Sequence, residues 1–567
     1  MRKVISAAAM REIDRLTTVR YATPSLLLME AAANQSACAI ASRFSDVTAG
    51  LDVLILCGRG NNGGDGAALA RALSITGSLV DLILFGRAED SQGDARTNFE
   101  IVRRLAATTP ETGAAMSRLS FAECASEAAW REFQTARKSY DVIVDALFGT
   151  GLGRPLEGVY CEVVGHLAQM RETRPASDVR RPLIVSLDLP SGLNADAAEL
   201  IGEAVRADVT ITFTAPKVAN VLPPAAYFNG ELLVADINSP SVLLDEADSQ
   251  LFLTEADDAR AWLKQTRYQP GSYKNTHGHA LIIAGSRRMS GAAVLCGHAA
   301  MRSGAGLVTI ATPASVQPAV AARAMPEVMT AELPETNRAE QAEVSQEAPV
   351  LAEAAIEPAI QLCKRADALA IGPGLTSGEH LRRFVRSLVE RRTCPVVIDA
   401  DGLNALAPWP ADLHGTAELP LILTPHPGEM RRLAGATSEQ DSLAERVRIA
   451  RDFATAHQLI LVLKGARTLI AAPDGRVAIN PTGNAGVGTA GAGDTLTGII
   501  TSFIAQAYGT LKSRADAFDA TVAAVYVAGL AGDLAAQSLG MRAMVASDIS
   551  LHFSAAIRRL DPSGEQP

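Results

Sequence analysis

Aromatic residues make up only 4% of this chain, so its cores must be built from Ala, Val, Leu and Ile. Cysteine is sparse and unpatterned. There are seven thiols, an odd number, and none is spaced as CxxC. That speaks against a disulfide framework or a zinc site and places the chain in a reducing compartment. Neither part of the chain is basic. Residues 1–240 and 241–567 share the net charge of −10 equally, which disfavours binding along a nucleic-acid backbone. No apolar run approaches the ~20 residues that span a bilayer. Arg11, Glu12 and Asp14 follow Arg2 and Lys3 too soon for the apolar centre of a secretory leader. The expectation is a soluble cytoplasmic protein with neither nucleic acid nor membrane as partner.

What is present is an ordinary globular balance: 48% apolar, 20% charged, 45 Gly and 28 Pro. At roughly 100–200 residues per domain, 567 residues call for more than one core. The run LDVLILCG (51–58) reads as a buried parallel strand. It is followed by Arg59-Gly60-Asn61-Asn62-Gly63-Gly64-Asp65-Gly66 and a helical stretch. Strand, glycine-asparagine loop and helix form the layout for anion binding at a helix N-terminus. Asn-Gly is also common turn chemistry, but four glycines, two asparagines and an aspartate in eight residues exceed what a turn needs. The loop matches neither GxGxxG nor a Walker loop.

Further strands alternate with helices: SLVDLILFG, YDVIVDALFG, PLIVSLDL, ADVTITFT and ELLVADI. This predicts a doubly wound parallel sheet, with ligands outside the carboxyl ends of the strands. Asp145, the loop Gly149-Thr150-Gly151-Leu152-Gly153-Arg154-Pro155, and Asp188 with Ser191 all fall at such ends. Capping of the next helix is the competing reading for any one Asp. Three such loops on one rim favour a shared site. Asn62, Asp145 and Ser191 offer oxygen ligands to a hard cation, and Asp188 is then the candidate acid–base.

Residues 238–262 are rich in acids and read as a linker, with a docking helix as the alternative. The α/β alternation then restarts, from HALIIAGS (279–286) to LILVLKGARTLIAAPDG (459–475). Residues 331–360 read as an acidic helix or loop insertion. The sharpest chemical signal is Gly488-Thr489-Ala490-Gly491-Ala492-Gly493-Asp494-Thr495 ahead of an apolar helix. Gly491 and Gly493 would present backbone amides to phosphate charge, and Asp494 would take a proton from a substrate hydroxyl. An anion hole plus a base is the minimum for phosphoryl transfer. Lys464, at a strand end, adds a cation for a nucleotide or is simply solvated.

The stretches LLLMEAAAN, GRGNNGGDG, VDALFGTGLGRPLEG, SLDLPSGL and TFTAPK resemble the N-terminal half of the bifunctional nicotinamide nucleotide repair enzymes. These are the NAD(P)HX epimerase / ADP-dependent NAD(P)HX dehydratase family. YKNTHGH, IAGS, RSGAGLVT, IGPGL, DADGLNAL, TPHPGEM and NPTGN, with the Asp494 loop, resemble that family's ribokinase-like half. The chain departs from the pattern at 237–240, where Ile-Asn-Ser-Pro stands. The resemblance implies an α/β chain with an N-terminal Rossmann-like epimerase domain (1–240), an acidic linker (241–262) and a C-terminal ribokinase-like dehydratase domain (263–567). It implies NAD(P)HX contacts from Asn61, Asn62, Gly63, Gly64, Asp65, Gly149 to Pro155, Tyr160 and Asp188. In the second half the contacts would be Gly304, Gly374, His426 and Asp494. It implies potassium on Asn62, Asp145 and Ser191. Lys464, Gly465, Ala466, Arg467, Thr468 and Gly493 would bind ADP or ATP, with Mg2+ accompanying the nucleotide. Asp188 and Asp494 are the expected catalytic residues, and a homo-oligomer is expected. The rival is a small-molecule kinase (vitamin or sugar) fused to a regulatory nucleotide-binding module.

Overall fold

The apolar runs fold as strands buried on both faces, which a parallel sheet between helix layers requires. The structure, a computed structural model, describes residues 1–107, 119–135, 139–172, 181–335, 351–435 and 443–562. Residues 336–350, the centre of the acidic stretch 331–360, lie outside the described residues. The chain divides into one unit from Lys3 to Ser249 and a second from Gln250 onward, which also takes in Met1–Arg2.

Strand β1 (Arg2–Lys3) precedes the first unit's sheet and edges the other one. The first unit contains β2 (Asp52–Cys57), β3 (Leu79–Leu84), β4 (Leu119–Glu123), β5 (Val142–Ala146), β6 (Leu183–Leu187), β7 (Val209–Phe213) and β8 (Glu231–Ala235). Their order is β4-β3-β2-β5-β6-β7-β8, and every pairing is parallel. Strand order reverses between β2 and β5, so the loops leaving these two strands open a crevice at their carboxyl ends. The two loops can touch because glycine stands where they meet, and glycine also lets the first loop close on itself. A Cβ on Gly58 would lie 2.0 Å from Leu147 O, and one on Gly63 would lie 1.8 Å from Gly58 O. β4 was not among the expected strands; its residues LSFAE are only partly buried, leaving little apolar signal.

The second unit contains β9 (Leu251–Leu253), β10 (His279–Ile283), β11 (Leu307–Pro313), β12 (Met329–Leu333), β13 (Ala368–Ile371) and β14 (Val396–Ile398). It continues with β15 (Leu421–Leu423), β16 (Ile460–Leu463), β17 (Leu469–Ala471) and β18 (Val477–Ile479). The order is β1-β9-β18-β17-β16-β15-β14-β13-β10-β11-β12. Only the β16–β17 and β17–β18 pairings among those with assigned register are antiparallel. This sheet reverses between β10 and β13, where Gly285 N donates to Pro373 O at 2.8 Å. Residues 241–262 hold the helix Ser241–Glu246, β9 and most of the helix Ala256–Gln265. Their acids are used locally. Glu255 and Asp258 form a capping box, Arg2 pairs with Glu255 at 2.8 Å, and the α-amino group of Met1 pairs with Asp258.

The small-residue cores follow from the shortage of aromatics. The helix Ala517–Leu539 is long and apolar enough, by length and composition, to cross a membrane, which corrects the expectation that no stretch would reach that length. Asp519 and Asp533 interrupt it in the sequence, and half of its most apolar window is buried in the second core together with the helix Ala492–Gln506. That second helix reaches the core by close backbone approach to the helix Ser290–Arg302: a Cβ on Gly498 would lie 2.1 Å from Cys296 O. Gly498→Ala is therefore expected to destabilise the second unit by about 1–3 kcal/mol. Peptide-resolved hydrogen exchange should show the loss in 290–302 and 492–506 and not in 52–75.

Candidate active sites

The first unit holds a cavity of about 520 Å3 at the carboxyl ends of β2, β5, β6 and β7. Asn61 and Asn62 reach it from the first turn of the helix Asn61–Ile75 and Asp65 from the next, and the N-cap, Gly60, makes no side-chain cap. Asn62 is 9% exposed, and both polar atoms of its side chain are buried without a hydrogen-bond partner. Buried orphaned amides are costly; these are available to a ligand.

Asp188 follows β6 with φ 63, an uncommon conformation for a residue with a side chain. Its Oδ1 accepts from Lys217 Nζ at 2.6 Å and from Thr212 Oγ1 at 3.2 Å. Lys217 is fully buried and also donates to Thr212 Oγ1 and Phe213 O, at 3.0 and 3.1 Å, so all three of its protons are placed. Asp188 Oδ2 points to the other side: a Cβ on Gly149 would lie 3.0 Å from it and 3.4 Å from Asn62 Cβ. Gly149 thus keeps open the space between Asp188 and Asn62. Two more carboxyls share the cavity. Burial pushes Asp14 up to about 6, with the Asp188 charge adding and Lys217 opposing. Burial, reinforced by Asp188 and Asp14, pushes Asp65 well above the carboxylate range.

Asp145 is fully buried. Its oxygens accept from Ser191 Oγ at 2.6 Å, Ser191 N at 2.9 Å, Ser186 Oγ at 2.8 Å and Leu147 N at 3.3 Å. Burial raises its carboxyl, and these hydrogen bonds oppose the rise. Asp145 and Ser191 are thus in direct contact, and Asn62 sits beside Gly149 on the neighbouring loop. Among the described residues, no group of three His, Cys, Asp or Glu is placed to hold a metal ion.

In the second unit, Asp494 stands in the first turn of the helix Ala492–Gln506, after Gly491 in the left-handed region (φ 86). Burial and the nearby Asp399 push it up to about 6, against the pull of Lys464. Asp399 follows β14. Its Oδ1 accepts from Lys464 Nζ at 2.7 Å and its Oδ2 from Thr497 Oγ1 at 2.7 Å. Burial works against ionisation of Asp399, but the Lys464 charge and these hydrogen bonds outweigh it and hold the carboxyl below its usual range. Gly493 lies over the pair: its Cβ would be 3.4 Å from Lys464 Nζ and 3.7 Å from Asp399 Oδ2. Ala400, next to Asp399, is strained, with φ 49 and ψ −117.

Of the residues expected in the first site, Asn61, Asn62, Asp65, Gly149, Thr150, Gly151, Tyr160 and Asp188 line the cavity. Gly63, Gly64, Leu152, Gly153, Arg154 and Pro155 are not among its lining residues. Gly64 instead makes room for Ala95 and Met29, whose atoms its Cβ would meet at 2.8 Å. In the second unit, Lys464, Gly493 and Asp494 come together around Asp399. Gly374 lies on the loop after β13, and Gly304 lies against Gln506 and the Tyr268 hydroxyl. His426 caps the helix Pro427–Ala434, with its Nδ1 accepting from Gly428 N at 3.0 Å. Gly465 packs on Arg446, Thr468 Oγ1 donates to Gly465 O, and Arg467 donates to Pro481 O. Thr482 and Asn484 of NPTGN donate to Tyr526 O and Gly532 O of the helix Ala517–Leu539, and Asn480 donates to Thr482 O within the loop. Sequence reasoning missed Lys217, Asp14 and Asp399. Lys217 and Asp399 each had a signal, a charge close behind an apolar strand: Asp399 follows β14 directly and Lys217 comes four residues after β7. Asp14 had none, because it sits among the other charges of an N-terminal helix.

Two family models match the chain: the YjeF-related protein N-terminus over residues 25–219 and NAD(P)H-hydrate dehydratase over residues 280–554. The bifunctional NAD(P)H-hydrate repair enzyme Nnr of Moorella thermoacetica is 38% identical over 563 residues, 99% of this chain and 98% of that protein. The enzyme of the same description from Thermofilum pendens is 35% identical over 559 residues, 98% and 97% of the two chains. The crystal structure of ADP/ATP-dependent NAD(P)H-hydrate dehydratase from Bacillus subtilis, co-crystallized with ATP/Mg2+, aligns at TM-score 0.44 and 32% identity. It covers 55% of this chain and 99% of that one.

Replacing Lys217 by Met should leave Asp188 buried without its counter-charge. The expected loss is about 3–5 kcal/mol of stability, seen by hydrogen exchange in peptides spanning 183–217 and absent from 396–423. A variant as stable as the parent would remove the ion pair from the account of this site.

Proposed function

The chain belongs to the family of bifunctional NAD(P)H-hydrate repair enzymes, and from that premise we propose how its two sites divide the work. The protein is an NAD(P)H-hydrate epimerase and an ADP-dependent NAD(P)H-hydrate dehydratase in one chain. The observation that carries this is identity along nearly the full length of both chains, spanning both domains. A kinase fused to a regulatory module would not need the first unit's cavity with Asp188, Asn62 and an ion-paired lysine at its wall.

NAD(P)HX is the hydrated form of a reduced nicotinamide cofactor. In the epimerase domain, assigned to residues 1–240, Asn61, Asn62, Asp65, Gly149, Thr150, Gly151 and Tyr160 receive it. Asp188 acts at the hydrated carbon through Oδ2, since Oδ1 is tied to Lys217 and Thr212. Potassium fits the donor set Asn62, Asp145 and Ser191, which is all oxygen and amide and includes the orphaned Asn62 carbonyl. Bound there, it would add positive charge beside the Gly149 loop, where an anionic dinucleotide has to be received.

In the dehydratase domain, assigned to residues 263–567, Asp494 takes the proton of the substrate hydroxyl as its oxygen attacks the terminal phosphoryl group of ADP or ATP. Amides at Gly491–Gly493 and the Lys464 ammonium stabilise the transferring charge. Phosphate then leaves with the electron pair of its C–O bond, the adjacent ring carbon gives up a proton to solvent, and the ring double bond of NAD(P)H returns. Gly304, Gly374 and His426 line the NAD(P)HX side and residues 464–468 the nucleotide side; Mg2+ accompanies the nucleotide. The proposed place of action is the cytoplasm, on free NAD(P)HX.

Asp494→Ala should lower ADP-dependent recovery of NADH absorbance from S-NADHX by about 100- to 10,000-fold and leave epimerisation intact. Undiminished dehydration would refute the base assignment. Because Asp494 must be deprotonated to act and titrates near 6, kcat/KM for dehydration should rise with pH through about 6 and then level. Exchanging potassium for tetramethylammonium should slow R-to-S interconversion and not dehydration of S-NADHX; equal slowing of both would count against the Asn62–Asp145–Ser191 assignment.

A further inference from the structure

Epimerisation at one carbon makes a demand that Asp188 alone does not meet. The hydroxyl leaves one face of the ring and returns to the other, so a proton donor–acceptor is needed on each face. We propose that Asp14, on the helix Ala7–Tyr21, is the second acid–base residue of the epimerase cavity, acting with Asp188. This rests on the epimerase reading of the first unit.

Asp14 lines the cavity, and its Oδ1 is buried without a hydrogen-bond partner. Its helix neighbours Glu12 and Arg15 pair with each other on the exposed side at 2.8 Å, so the helix satisfies its outward charges and leaves this inward carboxyl open. An oxygen left in that state is costly to the fold and suits a group reserved for a substrate hydroxyl. The charged groups that share the cavity with it are Lys217, Asp188, Asp65, Arg11, Arg59 and Asp94. Lys217 is committed to Asp188, as described above, and Asp94 accepts from the Ser25 hydroxyl, which leaves Asp14 and Asp65 as the carboxyls beside that pair. They differ in environment. Burial pushes the fully enclosed Asp65 carboxyl well above its ordinary value, with Asp188 and Asp14 adding to the rise, whereas Asp14, pushed up to about 6, can both give and take a proton near physiological pH.

The chemistry balances with water as the only co-reactant. The Asp14 carboxyl gives its proton to the departing hydroxyl. The C–O bond breaks with its electron pair on oxygen, and water leaves, while the ring-nitrogen lone pair closes the conjugated cation. Water adds to the opposite face, forms the new C–O bond, and passes its proton to the Asp188 carboxylate. The reverse direction uses the same two groups with their roles exchanged, and solvent exchange resets them.

The test is Asp14→Asn in the full chain, an almost isosteric change, with R- and S-NADHX resolved by chromatography and the spontaneous rate subtracted. The expected result is a fall in kcat for interconversion of about 100-fold or more with KM nearly unchanged. The limb near pH 6 should disappear from the kcat profile, Asp14→Glu should recover part of the rate, and ADP-dependent dehydration of S-NADHX should persist. Hydrogen exchange across 183–217 checks that the unit remains folded. Wild-type kcat in Asp14→Asn overturns the proposal, as does a raised KM with kcat intact, which would make Asp14 a binding contact only. Loss of activity in Asp65→Asn with Asp14→Asn unaffected overturns it in favour of Asp65. A parent protein that does not interconvert the epimers would instead refute the epimerase reading.

Discussion

Each site is organised around one lysine ion-paired to an aspartate at the carboxyl end of a parallel strand. In the first unit it is Lys217 with Asp188, and in the second Lys464 with Asp399, at 2.6 and 2.7 Å. Removing such charges from water is expensive, and the cost is met only by full hydrogen bonding. Thr212 and Phe213 complete the bonding of the lysine in the first pair, and Thr497 adds a hydrogen bond to the aspartate of the second. The pair then sets the field for a neighbouring carboxyl with no such partner, Asp14 and Asp65 in one unit and Asp494 in the other, each pushed upward first by burial. Carboxyls held apart in this way are what acid–base chemistry near neutral pH requires.

The second constraint is charge. A chain of net −10 has to receive an anionic dinucleotide in one unit and an adenine nucleotide in the other. A global positive field is not available, so attraction must be local. The helix N-termini at Asn61 and Ala492 supply it, each entered through a glycine, and each beside a lysine that the opposing aspartate keeps in place. Glycine serves two ends here. At Gly149 and Gly493 it leaves room next to the acid. At Gly58, Gly63 and Gly498 it lets backbone meet backbone. The sequence alone does not separate these uses, which is why the GNNGGDG stretch reads as wholly ligand-binding until the packing of Gly63 and Gly64 is seen.

How far the molecule was legible varies with the range of the interaction. The long apolar strands β2, β5, β13 and β16 announce themselves, since a doubly buried strand leaves an uninterrupted run. The three-residue strands β9 and β18 do not, because they are strands only through pairing with neighbours, β9 with β1 and β18, and β18 with β9 and β17. The acids of 241–262 read as a linker, yet they cap and pair, and a cap is recognised only when its partner is placed. Asp188 and Asp494 were visible because each ends a patterned motif. Lys217 was in plain view within TFTAPK but carried no role until its side chain was found with zero exposure against Asp188.

Sequence alone determined the two α/β units, the glycine-rich turns at the strand ends, and through its motifs the family and the chemistry of each half. These are properties of residues near one another in the chain, where periodicity and local backbone preference decide. Only the tertiary structure decided which oxygen of Asp188 is free, which lysine offsets which aspartate, and that Asp14, from a helix 174 positions away along the chain, shares the cavity with it. Burial and electrostatic coupling depend on distance in space, and no pattern along the chain encodes that for a single charged residue.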